Sequence, residues 1–143
     1  MSVQSILLPL FVEVGLTFVL LLLLFVRRAG AYRRGEVAGK PLALREPNWG
    51  EGATKAGYAF SNQFELPVLF YVLTILALVT NKADMMFVFL AWLFVFARIA
   101  QAIVHVTTND IRLRGAFYAA GAAILALMWG AFIIAILFAR VLG

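Results

Sequence analysis

Two short runs of side chains have the types and spacing to hold an anionic, polar ligand. Asn62 and Glu65 stand three apart, and Arg98, Gln101 and His105 follow the spacing i, i+3, i+7, so each set falls on one face of a helix. Leu69 extends the first face in apolar form. Together these groups offer hydrogen-bond donors and acceptors and charge of both signs, and Arg112 and Arg114 add two further guanidinium groups nearby. Glu65 and Arg98 are natural partners, each offsetting the other's desolvation, with Asn62 able to orient either. A plainer role is also open to them, as polar glue between helices at roughly 0.6 kcal/mol per interhelical hydrogen bond. His105 is read first as an interfacial residue and second as a general base. Glu13 stands apart, four residues after Pro9, as a hydrogen-bonded bundle residue or a proton or cation site. No second histidine or nearby carboxylate pair accompanies His105, so no metal is assigned. Without a cysteine in the chain, any thiol reaction needs a thiol brought by a substrate.

These side chains are conspicuous because of what surrounds them. Hydrophobic residues make up 64% of the 143 and charged residues 13%, with a mean hydropathy of +0.98. A soluble domain carries about 45–50% apolar and about 25% charged residues, so a soluble globule is excluded. A charge at the bilayer centre costs roughly 2.5–3.5 kcal/mol, so Glu13, Glu65 and Arg98 are expected to face a bundle interior and to be paired. The net charge of +5 points to membrane topology and anionic lipid rather than to nucleic acid.

The elements that must position the polar residues are four apolar segments, which predict an all-α integral membrane protein, a four-transmembrane-helix bundle forming a single domain over 1–143. The spans are expected at 6–26, 57–80, 85–106 and 116–142, with a long loop over 27–56. The first, Ile6–Val26, is about 31 Å long as a helix and matches a hydrocarbon core of about 30 Å. No Lys or Arg precedes Arg27 and the run exceeds a signal-peptide core, so it is read as a retained span. Asp84 is placed to N-cap the third helix, and Asn109 or Asp110 the fourth. Pro67 is expected to kink the second. Phe87, Phe89, Phe94 and Phe96 are read as lipid-facing or packing residues.

Nine basic residues (Arg27, Arg28, Arg33, Arg34, Lys40, Arg45, Lys55, Arg112 and Arg114) fall in the loops after spans one and three, against Lys82 and Arg140 on the opposite side. The positive-inside rule then places both termini on the non-cytoplasmic side. It also puts the Asn62–Glu65 and Arg98–His105 faces in the cytoplasmic halves of their helices, forming one charged pocket by the inner leaflet. The first loop, with Pro41, Pro47, a stretch at Leu42–Arg45 too brief to assign as an interfacial helix, and Trp49 as interfacial anchor, is either a basic surface against lipid or a lid for that pocket.

The pattern Asn62-x-x-Glu65 followed by Pro67, with Ala97-Arg98 on span three and arginines opening span four, resembles the MAPEG superfamily of membrane-associated proteins in eicosanoid and glutathione metabolism. The stretch Asn62–Tyr71 is most similar to bacterial members, and the likeness in length, span number and loop order covers the whole chain. The resemblance implies a homotrimer in a bacterial inner membrane, with glutathione as co-substrate bound between subunits and a lipophilic small-molecule substrate arriving from the membrane lipids. It implies that Asn62, Glu65, Gln101 and His105 bind glutathione, that Arg98 buttresses the pocket or meets a glutathione carboxylate, and that Arg27 or Arg28 adds a further cationic binding residue. It further implies that Arg112 or Arg114 stabilises the thiolate, the nucleophilic form. Tyr58 stands where catalytic relatives carry arginine, His105 where they carry tyrosine, and Gln101 where they carry tyrosine or histidine. The expected function is therefore a membrane-bound glutathione-dependent transferase or peroxidase. The alternatives are a non-catalytic relative that binds a lipid or hydrophobic small molecule, or a small proton-coupled exporter using Glu13.

Overall fold

The computed structural model of the protein describes residues 1–37 and 49–139. Those residues form five helices and no strand: α1 (Val3–Arg33), α2 (Glu51–Asn62), α3 (Leu66–Val79), α4 (Met85–Val106) and α5 (Ile111–Leu137). Helices α2 and α3 follow one another through Glu51–Val79, so the described residues hold four segments long and apolar enough to cross a membrane. Lys40, Pro41, the stretch Leu42–Arg45, Pro47, Arg140 and the end of the fourth predicted span lie outside the described residues.

The helix ends follow from local chemistry. Ser2 accepts from the Ser5 amide at 3.1 Å to open α1, and Asp84 accepts from Phe87 at 2.8 Å to open α4. For α5 the cap is Asp110, which accepts from the amides of Arg112 and Leu113 at 2.9 and 3.4 Å. At the end of α3, Asn81 turns left-handed with φ 56°. The Lys82 and Asn81 amides return to the Ala77 and Leu78 carbonyls, at 2.9 and 3.2 Å, closing the helix as a Schellman motif. Gly50, with φ 89°, begins α2 where a Cβ would stand 2.9 Å from a carboxylate oxygen of Glu36.

The second span differs from the continuous kinked helix that the sequence suggests. It is broken at Gln63–Glu65, and Pro67 sits in the first turn of α3. Proline supplies no amide for the Gln63 carbonyl and its ring opposes a continuous helix, while it fits a helix start well. The helix therefore stops and restarts. Gln63 is turned into the interior, where it accepts from the Thr17 hydroxyl at 3.2 Å.

α4 is the most enclosed span. Its Phe94 stacks on Phe70 of α3 with ring centroids 4.8 Å apart, and Leu73, Ala77, Ala91, Val95, Leu125 and Met128 pack around them. Phe87 is buried in the same core, whereas Phe89 and Phe96 point outward. The buried face of α2 is built from Ala53, Ala56 and Ala59, small residues that let its backbone approach its neighbours. At the end of α4, Arg27 donates to the Val106 carbonyl at 2.9 Å and to Gly52 at 3.0 Å, and Lys55 donates to Thr107 at 3.2 Å. Two cations from α1 and α2 thus satisfy carbonyls that the helix leaves free, at its negative pole.

Candidate functional site

A cavity of about 450 Å³ opens at this end of the bundle, bounded by α2, the end of α4 and the start of α5. Tyr58 and Asn62 enter it from α2, and Gln101 and His105 from α4. Arg114 and Tyr118, one helical turn apart, enter from α5, with Asn109 at the turn between α4 and α5. The Asn62 amide nitrogen lies 3.3 Å from His105 Nδ1, and the Tyr58 ring is stacked on the imidazole at 6.5 Å between centroids. Arg114 Nη1 donates to Asn109 Oδ1 at 2.6 Å, which holds the guanidinium at the cavity wall. Gln101 Oε1 is buried and has no hydrogen-bond partner among the described residues.

Of the residues singled out from the sequence, the structure gathers Asn62, Gln101, His105 and Arg114 around one space. Arg98 lies one layer behind it. Its Nη2 donates to the Asn62 carbonyl at 3.0 Å, and its guanidinium carbon stands 5.8 Å from the centroid of the Tyr118 ring, a cation–π contact. Arg112 is exposed and does not line the cavity, so only Arg114 of the two candidate arginines does. Arg28 is also exposed and lies over the Trp49 ring at 5.0 Å.

The expected pairing of Glu65 with Arg98 is corrected. The carboxylate beside Arg98 is Glu13, whose Oε1 lies 4.0 Å from Arg98 Nε, and both side chains are buried. Glu65 is exposed at the N-cap of α3. The break that Pro67 enforces is the physical reason, since it ends the face that Asn62 and Glu65 share on an unbroken helix. Glu13 is accordingly not separate from the polar cluster. α1 and α4 enter the membrane from the same face, and Glu13 and Arg98 lie about 15 and about 20 Å along them from Val3 and Met85. That matching of depth is the signal in the sequence that could have paired them. Tyr118, four residues beyond Arg114, and Tyr58, four before Asn62, were similarly legible as cavity residues from helical spacing. Among the described residues no three His, Cys, Asp or Glu side chains gather to hold a metal ion.

Four membrane-length helices with a polar cavity at one end of the bundle define an integral, multi-pass membrane protein. The chain belongs to the MAPEG family, whose model matches residues 6–134. No curated protein and no solved structure gives a significant match.

Proposed function

We propose that the protein is a glutathione-dependent, or related thiol-dependent, transferase or peroxidase for lipophilic electrophiles, working at this cavity. Family membership supports the class. The observation that carries the reading is Arg114, held by Asn109 on the wall that Asn62, Gln101 and His105 also line. A guanidinium there favours the thiolate of a bound thiol, and the amides and imidazole supply hydrogen bonds to its polar remainder. With an aryl chloride as electrophile, the thiol gives its proton to water and the sulfur forms a bond to the ring carbon. Chloride then leaves with the electron pair of the broken bond. On this reading the protein assembles as a homotrimer, as the family generally does, and Glu65 and Arg28, exposed on one protomer, are available to complete the site across a subunit boundary. The basic loops face the cytoplasm of a bacterial inner membrane and both termini lie on the other side.

The test is conjugation of glutathione to 1-chloro-2,4-dinitrobenzene by the purified protein, with Arg114→Met and Arg112→Met. Arg114→Met is expected to lower kcat/KM by about 10²-fold, as loss of one anion-stabilising donor does. Arg112→Met is expected to stay within about threefold, in line with the small effect of most exposed substitutions. Absence of both turnover and glutathione binding at millimolar concentration overturns the enzyme reading. The protein is then a non-catalytic relative that holds a lipid or hydrophobic small molecule, an outcome that Tyr58 in place of the family's arginine favours.

A further inference from the structure

The bundle has a second recess, at the end opposite the cavity, where α4 begins and α5 finishes. It is a narrow groove of about 100 Å³ between these two helices, with Phe87 and Leu90 on one side and Phe132 on the other. Nearer the middle of the seam the helices close on each other: a Cβ at Gly121 would meet the Phe94 ring and the Arg98 side chain at 3.8 Å. Toward the end of α5 they part, because Ala131 and Ala135, one turn apart, present only methyl groups to the space. Phe132 is held edge-on to Trp129 with ring centroids 6.2 Å apart, which fixes that wall. From Ala135 down to Met128 the groove runs about 10 Å along α5, most of the roughly 15 Å depth of one leaflet's hydrocarbon. Lys82 and Asp84 stand at its mouth, both exposed. Neither belongs to an ion pair among the described residues. Asp84 commits one carboxylate oxygen, Oδ1, to the Phe87 amide at 2.8 Å, which leaves Oδ2 to face the mouth of the groove.

We infer that this groove holds one acyl chain of a phospholipid with a primary-amine headgroup, a phosphatidylethanolamine, drawn from the leaflet opposite the ligand cavity. Charge complementarity selects the headgroup. A cation and an anion two residues apart, in the turn between α3 and α4, match the phosphate and the ammonium of one zwitterionic headgroup. The Lys82 ammonium meets the phosphate, and Asp84 Oδ2 accepts from the lipid's amine. A choline headgroup has no N–H to give that oxygen. A glycerol headgroup brings it no positive charge, so Asp84 disfavours a purely anionic lipid. The chain below lies against Phe87, Leu90 and Phe132, and Met128 closes the lower end. Leu90 is about 16 Å along α4 from Gln101, so the lipid groove and the ligand cavity are separate sites.

The experiment measures, by native mass spectrometry, which lipids the full-length protein retains after it has been stripped of lipid in detergent. The probes are phosphatidylethanolamine, phosphatidylcholine and phosphatidylglycerol with the same acyl chains. The ethanolamine lipid is expected to bind about fivefold more tightly than either of the others, as one well-placed exposed ion pair allows. Asp84→Asn keeps an N-cap side chain while removing the charge, and is expected to bring the ethanolamine lipid down to the affinity of the choline lipid. Lys82→Met is expected to weaken both of these lipids by a similar factor, since both offer it a phosphate. Ala131→Leu fills the groove from its floor and is expected to weaken all three lipids by about tenfold, with Ala135→Leu as a second variant that does the same one turn away. Equal retention of the three lipids, or a preference for the ethanolamine lipid that survives Asp84→Asn, overturns the inference. So does tighter binding of the glycerol lipid than of the ethanolamine lipid. Undiminished binding in either alanine variant, shown to be folded by its melting temperature, removes the chain from the groove. Absence of any retained lipid, with self-association that Ala131→Leu weakens, makes this face a contact between copies of the chain and equally overturns the lipid site.

Discussion

Arg98 Nη2 donates to the backbone carbonyl of Asn62 at 3.0 Å, so a cation of α4 is seated on the last residue of α2. The helix stops there ahead of Pro67, and the same carbonyl also accepts from the Glu65 amide at 3.3 Å. One guanidinium therefore joins three features of the chain: the broken second span, the buried Glu13 on α1 and the ring of Tyr118 on α5. It is placed to hold the cavity's inner wall while remaining outside the cavity.

Removing that guanidinium strands a buried carboxylate. Arg98→Met is expected to destabilise the protein by about 3–5 kcal/mol, the usual result of breaking one side of a buried ion pair. Glu13→Gln combined with Arg98→Met is expected to recover most of the loss, since no buried charge then lacks a partner. Denaturant unfolding in mixed micelles distinguishes the two. A double variant no more stable than Arg98→Met means that Glu13 is not the group left stranded.

Pro67→Ala restores the amide that the broken helix lacks. The Gln63 carbonyl then has a donor at the helical i+4 position, and α2 is expected to run on into α3. Hydrogen exchange across residues 63–67 reports this directly, with slower exchange than in the native chain expected. Native-like exchange in the variant shows that something other than proline holds the break open.

Gly115 lines the cavity, and a Cβ built there meets nothing within 4 Å. Gly115→Ala is expected to leave thermal stability unchanged or slightly raised, by up to about 1 kcal/mol from the helix preference of alanine. Gly115→Phe places a ring in the cavity itself. It is expected to weaken glutathione binding by about tenfold or more while the melting temperature stays within a few degrees of native. Undiminished binding by Gly115→Phe moves the ligand site elsewhere.

The fold was largely legible because lipid leaves the chain few choices. Long apolar runs with polar turns between them have to become helices, and Asp84 and Asp110 mark two of the starts. Asn62, Gln101, His105 and Arg114 could be listed as candidates because polar side chains in such runs need a reason to be there. Their arrangement was less accessible. Spacing i, i+3 puts Glu65 beside Asn62 only on an unbroken helix, and whether a proline bends or breaks a helix depends on what receives the freed carbonyls. Here Arg98 donates to the carbonyl of Asn62, the last residue of α2, a contact between residues 36 positions apart. The partnership of Glu13 with Arg98 is more remote still and shows only once the first and third spans are laid side by side. The choice between Arg112 and Arg114 was a matter of helix phase, which depends on where α5 begins.

The two ends of the cavity wall are fastened differently. The tip of α4 is tied down by Arg27 and Lys55, from two other helices, whereas Arg114 on α5 is moored to Asn109. A guanidinium has five N–H donors and Asn109 engages it through Nη1, so the bond aims the fork without using it up. The direction in which that charge points is thereby set by the conformation of the turn between α4 and α5.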